Sequence, residues 1–273
     1  MKPIITLLTD FGTRDYFVGA MKGVILSINP DAQIADISHE IPPQDIETAA
    51  FNLLSCYRDF PEQTIHVAVV DPGVGSDRRA IIVECADQFF VGPDNGLFSW
   101  ICEREGVWTA TDVTNQRFFR RPVSNTFHGR DIFAPVAAAL SSGRQPHEVG
   151  PAATDIVRLK SLAPAAINEN TIEGRVIHVD RFGNCVTNFT RETLESRGAA
   201  TSWRMTIDDR EIHSIRGYFA DSRANEVFAI IGSAGFIEIC VRNDSAAKLL
   251  NVHRGDRVQL TGGTLAEIHA RSA

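Results

Sequence analysis

A run of seven residues, TIHVAVV at positions 64–70, followed at once by the turn DPGVG at positions 71–75, decides the fold of this chain. A strand without a polar face is typical of a sheet covered on both sides. Upstream of it, the periodicity predicts strands at residues 4–8 and 34–37 and amphipathic helices at residues 16–28 and 45–57. This alternation of strands and helices predicts a layered α/β domain.

Downstream of the turn, the same alternation continues to about residue 160. The pattern predicts a hairpin from strands at residues 80–85 and 88–91, and helices at residues 97–103 and 130–140. We therefore expect a three-layer α/β N-terminal domain over residues 1–160, with a central, mostly parallel sheet.

The second half of the chain has a different pattern. Residues 161–170 contain a proline and polar residues without an amphipathic period, which predicts a linker. Short strands separated by turn residues follow at residues 172–179, 185–189, 204–207, 211–215, 227–231, 236–241 and 257–260. They predict a small antiparallel β-barrel over residues 171–273, with a sandwich as the alternative.

Composition and charge exclude several classes of protein. The chain has 273 residues, 44% hydrophobic and 22% charged, which disfavours disorder and coiled coil. Its 34 acidic and 27 basic residues give a net charge of -7 without a basic cluster, so we expect no nucleic-acid partner. No apolar stretch reaches about 18 residues, and the first residues resemble a strand, so we expect no membrane association and a cytoplasmic location. Five scattered cysteines indicate reduced thiols.

Three segments of the first domain carry side chains that suit chemistry. Asp10 follows the first strand, where a carboxylate can accept both hydroxyls of a ribose or simply cap a turn. Asp71 and Arg78 flank a glycine-containing turn, either as a functional ion pair or as a surface salt bridge. His128 precedes a helix, where it can carry a proton or act as a packed, capping histidine.

The second domain offers an aromatic and amide set. Phe182, Tyr218 and Phe219 can supply a platform for a base, and the amide of Asn184 can read its edge, although core packing is the default for each ring. A metal set of Asp10, Asp71, Asp94 and His128 remains an alternative, without support from ligand spacing.

Together, these segments resemble the S-adenosyl-L-methionine hydroxide adenosyltransferases, relatives of the adenosyl-fluoride and adenosyl-chloride synthases. The matching motifs are TDFG at 9–12, YFVGAMKG at 16–23, VDPGVG at 70–75, GPDNG at 92–96, TFHGRD at 126–131, FGN at 182–184 and GSAGF at 232–236. The resemblance implies an α/β domain followed by a β-barrel, and a homotrimer with sites between one subunit's first domain and a neighbour's second.

The resemblance also implies the reaction, in which water or hydroxide attacks C5′ of the ribose, methionine leaves, and adenosine is released. Asp71, Arg78 and His128 then form the water-activating set, with Arg79 as an alternative to Arg78. The halide-using relatives have Tyr at the position of Asp71 and lack the histidine, which favours water as the nucleophile here. S-adenosyl-L-methionine is the substrate, and neither cofactor nor metal is expected.

The remaining contacts are also implied by the resemblance. Asp10 matches the ribose-binding residue, while Phe127 and Phe51 match aromatic residues that enclose the substrate. In the second domain, Asp180 matches the residue that binds the methionine ammonium, and Ser233 matches one that binds its carboxylate. Three residues match those that contact the adenine: Asn184, Phe219 and Arg242. Ala234 stands where the fluoride enzyme has an arginine, so either backbone groups bind the carboxylate here or its recognition differs. A non-catalytic adenosine- or S-adenosyl-L-methionine-binding protein and a metal-dependent nucleotide hydrolase are the alternative functions.

Overall fold

The computed structural model describes residues 2–196 and 203–262 and divides into two compact units, residues 1–161 and 162–273. The first unit contains seven strands: β1 (Ile4–Thr9), β2 (Gln33–Ser38), β3 (Ile65–Val69), β4 (Ala80–Cys85), β5 (Gln88–Pro93), β6 (Thr109–Asp112) and β7 (Ala152–Ala153). Its α-helices are α1 (Phe17–Ile28), α2 (Ile46–Cys56), α3 (Ser99–Glu105), α4 (Ala134–Ser141) and α5 (Pro146–Val149), and a π-helical turn, Gly129–Phe133, leads into α4.

The sheet of the first unit is mixed. Its order is β2-β1-β3-β5-β4-β6-β7, and the pairs among β2, β1, β3 and β5 are parallel, whereas β5-β4, β4-β6 and β6-β7 are antiparallel. The α/β architecture is confirmed, but the expectation of a mostly parallel sheet is only half right. The antiparallel half arises because β4 and β5 are joined by a two-residue turn, which cannot connect parallel strands.

Helices cover both faces of this sheet. The side chains of Ile5 and Leu7 in β1 pack with α1 and α4, whereas α2 and α3 pack together, with α2 against β1 and α3 against β4. The β3 strand is buried along its whole length, as its unbroken apolar sequence predicts.

The second unit contains one sheet that surrounds its own core. Its strands are β8 (Ala165–Ala166), β9 (Thr171–Val179), β10 (Cys185–Thr190), β11 (Trp203–Ile207), β12 (Arg210–Ile212), β13 (Ile215–Arg216), β14 (Val227–Ile231), β15 (Phe236–Val241) and β16 (Arg257–Gly262). Its helices are α6 (Arg191–Ser196) and α7 (Ala246–Leu250). Strands from β9 to β16 contribute to one apolar cluster, so the sheet curls around it.

Two details of the second unit differ from the expectation. The strand path β12-β11-β16-β9-β10-β15-β14-β13 is open among residues 162–196 and 203–262, and β13 pairs with β14 in parallel, so the described sheet is a curled, mainly antiparallel half-barrel. The segment predicted as a linker, residues 161–170, contains β8, which pairs with β9. Within the described ranges, no helix is long and apolar enough to cross a membrane.

Candidate active site

A cleft of about 450 Å³ lies in the first unit, where two parallel strands end. β1 and β3 are neighbours with Thr9 opposite Val69, so the loops that follow them start at the same edge of the sheet. Ligands of open α/β sheets bind outside this carboxyl edge. The cleft is lined by Asp10, Phe11, Phe17, Pro43, Gln44, Val69, Asp71, Pro72, Val74, Thr126, Phe127, His128 and Gly129.

Three side chains predicted from separate motifs meet at this cleft. Arg78 donates from Nε to both Asp71 carboxylate oxygens, at 2.9 and 3.1 Å, and from Nη2 to Oδ2 at 2.5 Å. The same Nη2 lies 2.6 Å from Nδ1 of His128. The carboxylate is 5% exposed and the guanidinium side chain 12%, so the ion pair is not a surface salt bridge. Arg78 thus joins the carboxylate to the imidazole.

The loop after β3 reaches His128 because a glycine occupies its closest point of approach. Gly75 has a φ of +79°, and a Cβ there would lie 2.3 Å from the carbonyl oxygen of Asn125. Only glycine fits such a conformation and such a contact without strain. Asn125 lies three residues before His128, so this contact sets the distance between the two parts of the site.

A buried aspartate holds the segment that carries His128. Asp131, at the π-helical turn, is 0% exposed, and its carboxylate accepts hydrogen bonds from the Ser124 amide at 2.9 Å and from Nε and Nη2 of Arg130 at 2.7 and 2.8 Å. The guanidinium of Arg130 also lies 5.1 Å from the ring centre of Phe127. π-helical turns occur frequently at functional sites.

The hydrogen bond from Arg78 determines the tautomer of His128. Arginine has only donors, so Nδ1 must accept, and the proton of the neutral ring lies on Nε2. Burial, and then the positive charge of Arg78, lower the pKa of His128 below its usual 6.5, against the opposing effects of Asp71 and Asp131. At neutral pH, His128 is therefore a neutral ring that can donate from Nε2.

Arg79 and Asp94 lie outside this group. Arg79 donates from Nε and Nη2 to Asp94 at 3.0 and 2.6 Å, and from Nη1 to Asp155 at 3.0 Å. Arg78, not Arg79, is thus the arginine in contact with Asp71 and His128. Because Asp94 is engaged here, and the described residues hold no group of three His, Cys, Asp or Glu side chains suited to a metal ion, the alternative metal set is not assembled.

Asp10 and Phe127 lie in the same cleft. Oδ2 of Asp10 accepts the Gln44 amide at 2.8 Å. The Phe127 ring is buried, and Phe11 and Phe17 contact its face or edge with centroids 5.9 and 5.1 Å away. Phe51, in contrast, is 8% exposed on α2 and does not line this cleft. Phe17 was not among the predicted site residues, although its place on the predicted helix next to the TDFG motif was a usable signal.

A second cleft, of about 640 Å³, lies within the second unit. Two of the predicted adenine-binding residues line it, together with the loop after β15: Phe182, Asn184, Phe219, Val241, Asn243, Asp244 and Ser245. Phe182 is exposed, while the ring of Phe219 packs edge-on against Phe228. Residues 243–245 were not among the predicted site residues.

The other predicted residues of this unit do not line that cleft. Asp180 accepts the amides of Phe182 and Asn184 at 2.9 and 2.8 Å and Nδ2 of Asn184 at 2.8 Å, so it holds its own loop. Arg242 donates to the carbonyl oxygen of Ser222 at 3.0 Å. Ser233 is exposed in the turn between β14 and β15.

The fold and the clefts define a protein of two consecutive units, an α/β unit and a β unit, each with a cleft of the size that binds a small molecule. Family models for the N- and C-terminal domains of the SAM hydroxide adenosyltransferases match residues 5–150 and 174–259. The chain therefore belongs to this family, which confirms the resemblance found in the motifs.

Individual relatives agree with this assignment. The (R)-S-adenosyl-L-methionine hydrolase of Methanocaldococcus jannaschii is 38% identical over 94% of this chain and 95% of its own length, and that of Salinispora tropica is 36% identical over 96% and 98%. A fluorinase of Nocardia brasiliensis is 27% identical over 96% and 98%. The crystal structure of an uncharacterized conserved protein from Thermotoga maritima aligns with a TM-score of 0.88 at 37% identity, over 94% of this chain and 99% of that one.

Proposed function

We propose that this protein is an enzyme that hydrolyses S-adenosyl-L-methionine to adenosine and L-methionine. The observation that carries the proposal is the contact among Asp71, Arg78 and His128 in a cleft that also contains Asp10. Relatives that are 35–38% identical over nearly their whole length and are named (R)-S-adenosyl-L-methionine hydrolase support it.

The name of those relatives also supports a choice of epimer. The prefix L already fixes the α-carbon of the methionine, so R describes the sulfonium sulfur. We infer that this protein prefers the R epimer at sulfur. The two epimers place the methyl group and the methionine chain on exchanged sides, so a site that holds both the ribose and the amino acid distinguishes them.

The chemical step is a displacement at C5′ of the ribose. A water oxygen forms a bond to C5′ while the C5′–S bond breaks. The electron pair of the broken bond stays on sulfur, which becomes the neutral thioether of methionine. Because a sulfonium is already a good leaving group, the protein needs no acid there. Its work is to hold one water molecule in line with the C5′–S bond and to accept the proton that the water loses.

The geometry favours Asp71 as the group that accepts this proton. The lone pair on Nδ1 of His128 is used by Arg78, and Nε2 carries the ring proton, so the neutral ring donates rather than accepts. Within the water-activating set, we therefore assign the proton to Asp71 and not to His128. We infer that His128 orients the water by donating a hydrogen bond to its oxygen, while Arg78 fixes the positions of Asp71 and His128 relative to each other.

Substrate binding is assigned from the family resemblance and the positions of the clefts. Asp10 binds the ribose hydroxyls and Phe127 packs beside the sugar, while Asn184 and Phe219 bind adenine. Asp180 binds the methionine ammonium, Ser233 binds its carboxylate, and Arg242 stacks on the adenine. Because Phe51 does not line the cleft of the first unit, we assign it no contact with the substrate. We further propose a homotrimer whose sites combine the first unit of one subunit with the second unit of its neighbour.

The test is hydrolysis of each sulfonium epimer in ¹⁸O-labelled water, with a chelator present, followed by mass spectrometry. We expect ¹⁸O in adenosine, faster turnover of the R epimer, and a fall in kcat of about 100-fold or more in Asp71→Asn and His128→Ala. Asp77→Asn, which changes an exposed carboxylate of the same loop, should keep normal turnover.

Each other outcome supports a different function. Tight binding of adenosine without turnover of either epimer indicates a binding protein, and activity that the chelator abolishes indicates a metal-dependent hydrolase. Either result contradicts the proposal.

A further inference from the structure

We propose that His39 is a positioning residue for Asp10; the inference rests on the proposed role of Asp10 in binding the ribose. His39 follows β2 and is 5% exposed, and its side chain does not line the cleft. Its Nδ1 lies 2.8 Å from Oγ1 of Thr9, the residue before Asp10. The ring therefore contacts the end of β1 without lining the cleft.

The surroundings of the His39 ring indicate which atom donates in its contact with Thr9. Nε2 of His39 lies 3.2 Å from the Asp36 carboxylate, whose other oxygen accepts from Nζ of Lys22 at 2.6 Å. The neutral tautomer with its proton on Nε2 faces this carboxylate, although the contact lacks hydrogen-bond geometry, and in this tautomer Nδ1 accepts the hydroxyl proton of Thr9. Oγ1 of Thr9 in turn accepts the Phe11 amide at 3.3 Å. The chain of polar contacts thus ends on the peptide group that joins Asp10 to Phe11.

Two further hydrogen bonds tie the same loops together. The amide of Gly12 donates to the carbonyl oxygen of His39 at 2.7 Å, and the amide of Gln44 donates to Oδ2 of Asp10 at 2.8 Å. The loop after β1 and the loop after β2 are therefore joined at three points. The His39 ring is buried, whereas Asp10, Phe11, Pro43 and Gln44 of the same two loops line the cleft.

Loss of the ring should affect binding more than chemistry. Thr9 is 0% exposed, so its hydroxyl would lose a partner that water cannot replace without opening the loop. The ribose hydroxyls do not react, so Asp10 binds the substrate and the transition state about equally. A displaced Asp10 therefore raises KM and leaves kcat nearly unchanged.

The experiment compares His39→Ala, His39→Gln and His39→Asn. Asparagine places a polar atom near the position of Nδ1, and glutamine near that of Nε2, so only asparagine can keep the bond to Thr9. We expect KM for the substrate and the adenosine Kd, measured by calorimetry, to rise about tenfold in the alanine and glutamine variants. The asparagine variant should stay within about twofold of the unchanged protein, with kcat similar in all.

Thr9→Val tests the same bond from the other side. It should raise the adenosine Kd as much as His39→Ala does, and the two changes together should add little. The inference is overturned if the variants have a lower Tm but an unchanged adenosine Kd. It is also overturned if His39→Asn binds adenosine as weakly as His39→Ala does. Wild-type protein that binds no adenosine overturns it as well. Adenosine binding without any hydrolysis contradicts only the proposed function, because calorimetry does not require turnover.

Discussion

The protonation state of His128 should limit the reaction at acidic pH. Burial and the nearby Arg78 lower its pKa below 6.5, so the ring is neutral at pH 7 and becomes charged only in more acidic solution. A charged ring has a proton on Nδ1 and must give up the hydrogen bond from Arg78. We therefore expect kcat to be constant around pH 7 and to fall with decreasing pH, with a midpoint below 6.5.

The same pKa can be measured directly by NMR titration of the His128 ring. In Arg78→Met, the positive charge is lost but most of the burial remains, so the pKa should move upward. An unchanged pKa in this variant would contradict the electrostatic contribution of Arg78.

A second histidine, His66 in β3, should make stability depend on pH. It is 0% exposed, contacts Thr6 at 2.8 Å and Gln88 at 3.2 Å, and stacks on Phe90. Burial lowers its pKa to about 4. In the unfolded chain the pKa of His66 is near 6.5, so the unfolded chain binds the proton more readily than the folded protein. The unfolding free energy is therefore unaffected by the titration of His66 above pH 6.5 and decreases as the pH falls towards 4.

The size of this effect is roughly 3 kcal/mol of unfolding free energy between pH 7 and pH 4. Urea denaturation of the wild type and of His66→Gln, which does not titrate, should show the difference. We expect the wild type to lose stability more steeply over this range. Equal slopes for the two proteins would show that His66 does not titrate on unfolding.

At the level of residues, motifs identified the polar side chains but not their atomic roles. Asp71, Arg78 and His128 were predicted from three separate segments, and they meet in the structure. The sequence could not decide between Arg78 and Arg79, because two adjacent arginines differ only in the partners that they contact in the structure. The tautomer of His128 likewise depends on which atom faces the guanidinium.

At the level of elements, the loop after β3 must approach the segment before the π-helical turn closely. Gly75→Ala places a Cβ 2.3 Å from a backbone oxygen of Asn125, at a φ of +79°. The loop must shift, and Asp71 and Arg78 shift with it. We expect kcat to fall by about tenfold or more, since small misplacements of reacting groups are costly.

Gly106→Ala is the matched control for backbone strain. Gly106 ends α3 with a φ of +73°, but a Cβ there meets no atom within 4 Å. This variant should lose about 1 kcal/mol of stability and keep its kcat. If Gly75→Ala also keeps its kcat, the close approach does not set the geometry of the site.

The elements that the sequence predicted best are those with a long apolar run or a clear amphipathic period. β3 and the helices α1 and α2 have such patterns and were found near their predicted positions. β6, with the sequence TATD, and β7, with two alanines, have no strand pattern of their own. β6 pairs with the edge of β4 and β7 pairs in turn with β6, and such pairing depends on tertiary context. These two strands were therefore missed, whereas the antiparallel hairpin of β4 and β5 was predicted.

At the level of the whole molecule, the proposed chemistry and the proposed adenine recognition lie on different units. The Asp71 set belongs to the cleft of residues 10–129, whereas Asn184 and Phe219 line the cleft of the second unit. One chain can provide both parts of a site, or two chains can each provide one. Subunit complementation distinguishes these arrangements.

The experiment combines Asp71→Asn with Asn184→Ala on separate, differently tagged copies that are coexpressed. In a cyclic trimer with sites between neighbours, a site with both intact halves forms when one copy supplies its first unit and the other its second. Random assembly makes this combination at about a quarter of the sites, so hydrolysis should recover to about a quarter of the wild-type rate. Each variant expressed alone should stay nearly inactive. If each site lies within a single chain, every site keeps one defect, and the coexpressed mixture remains as inactive as the separate variants.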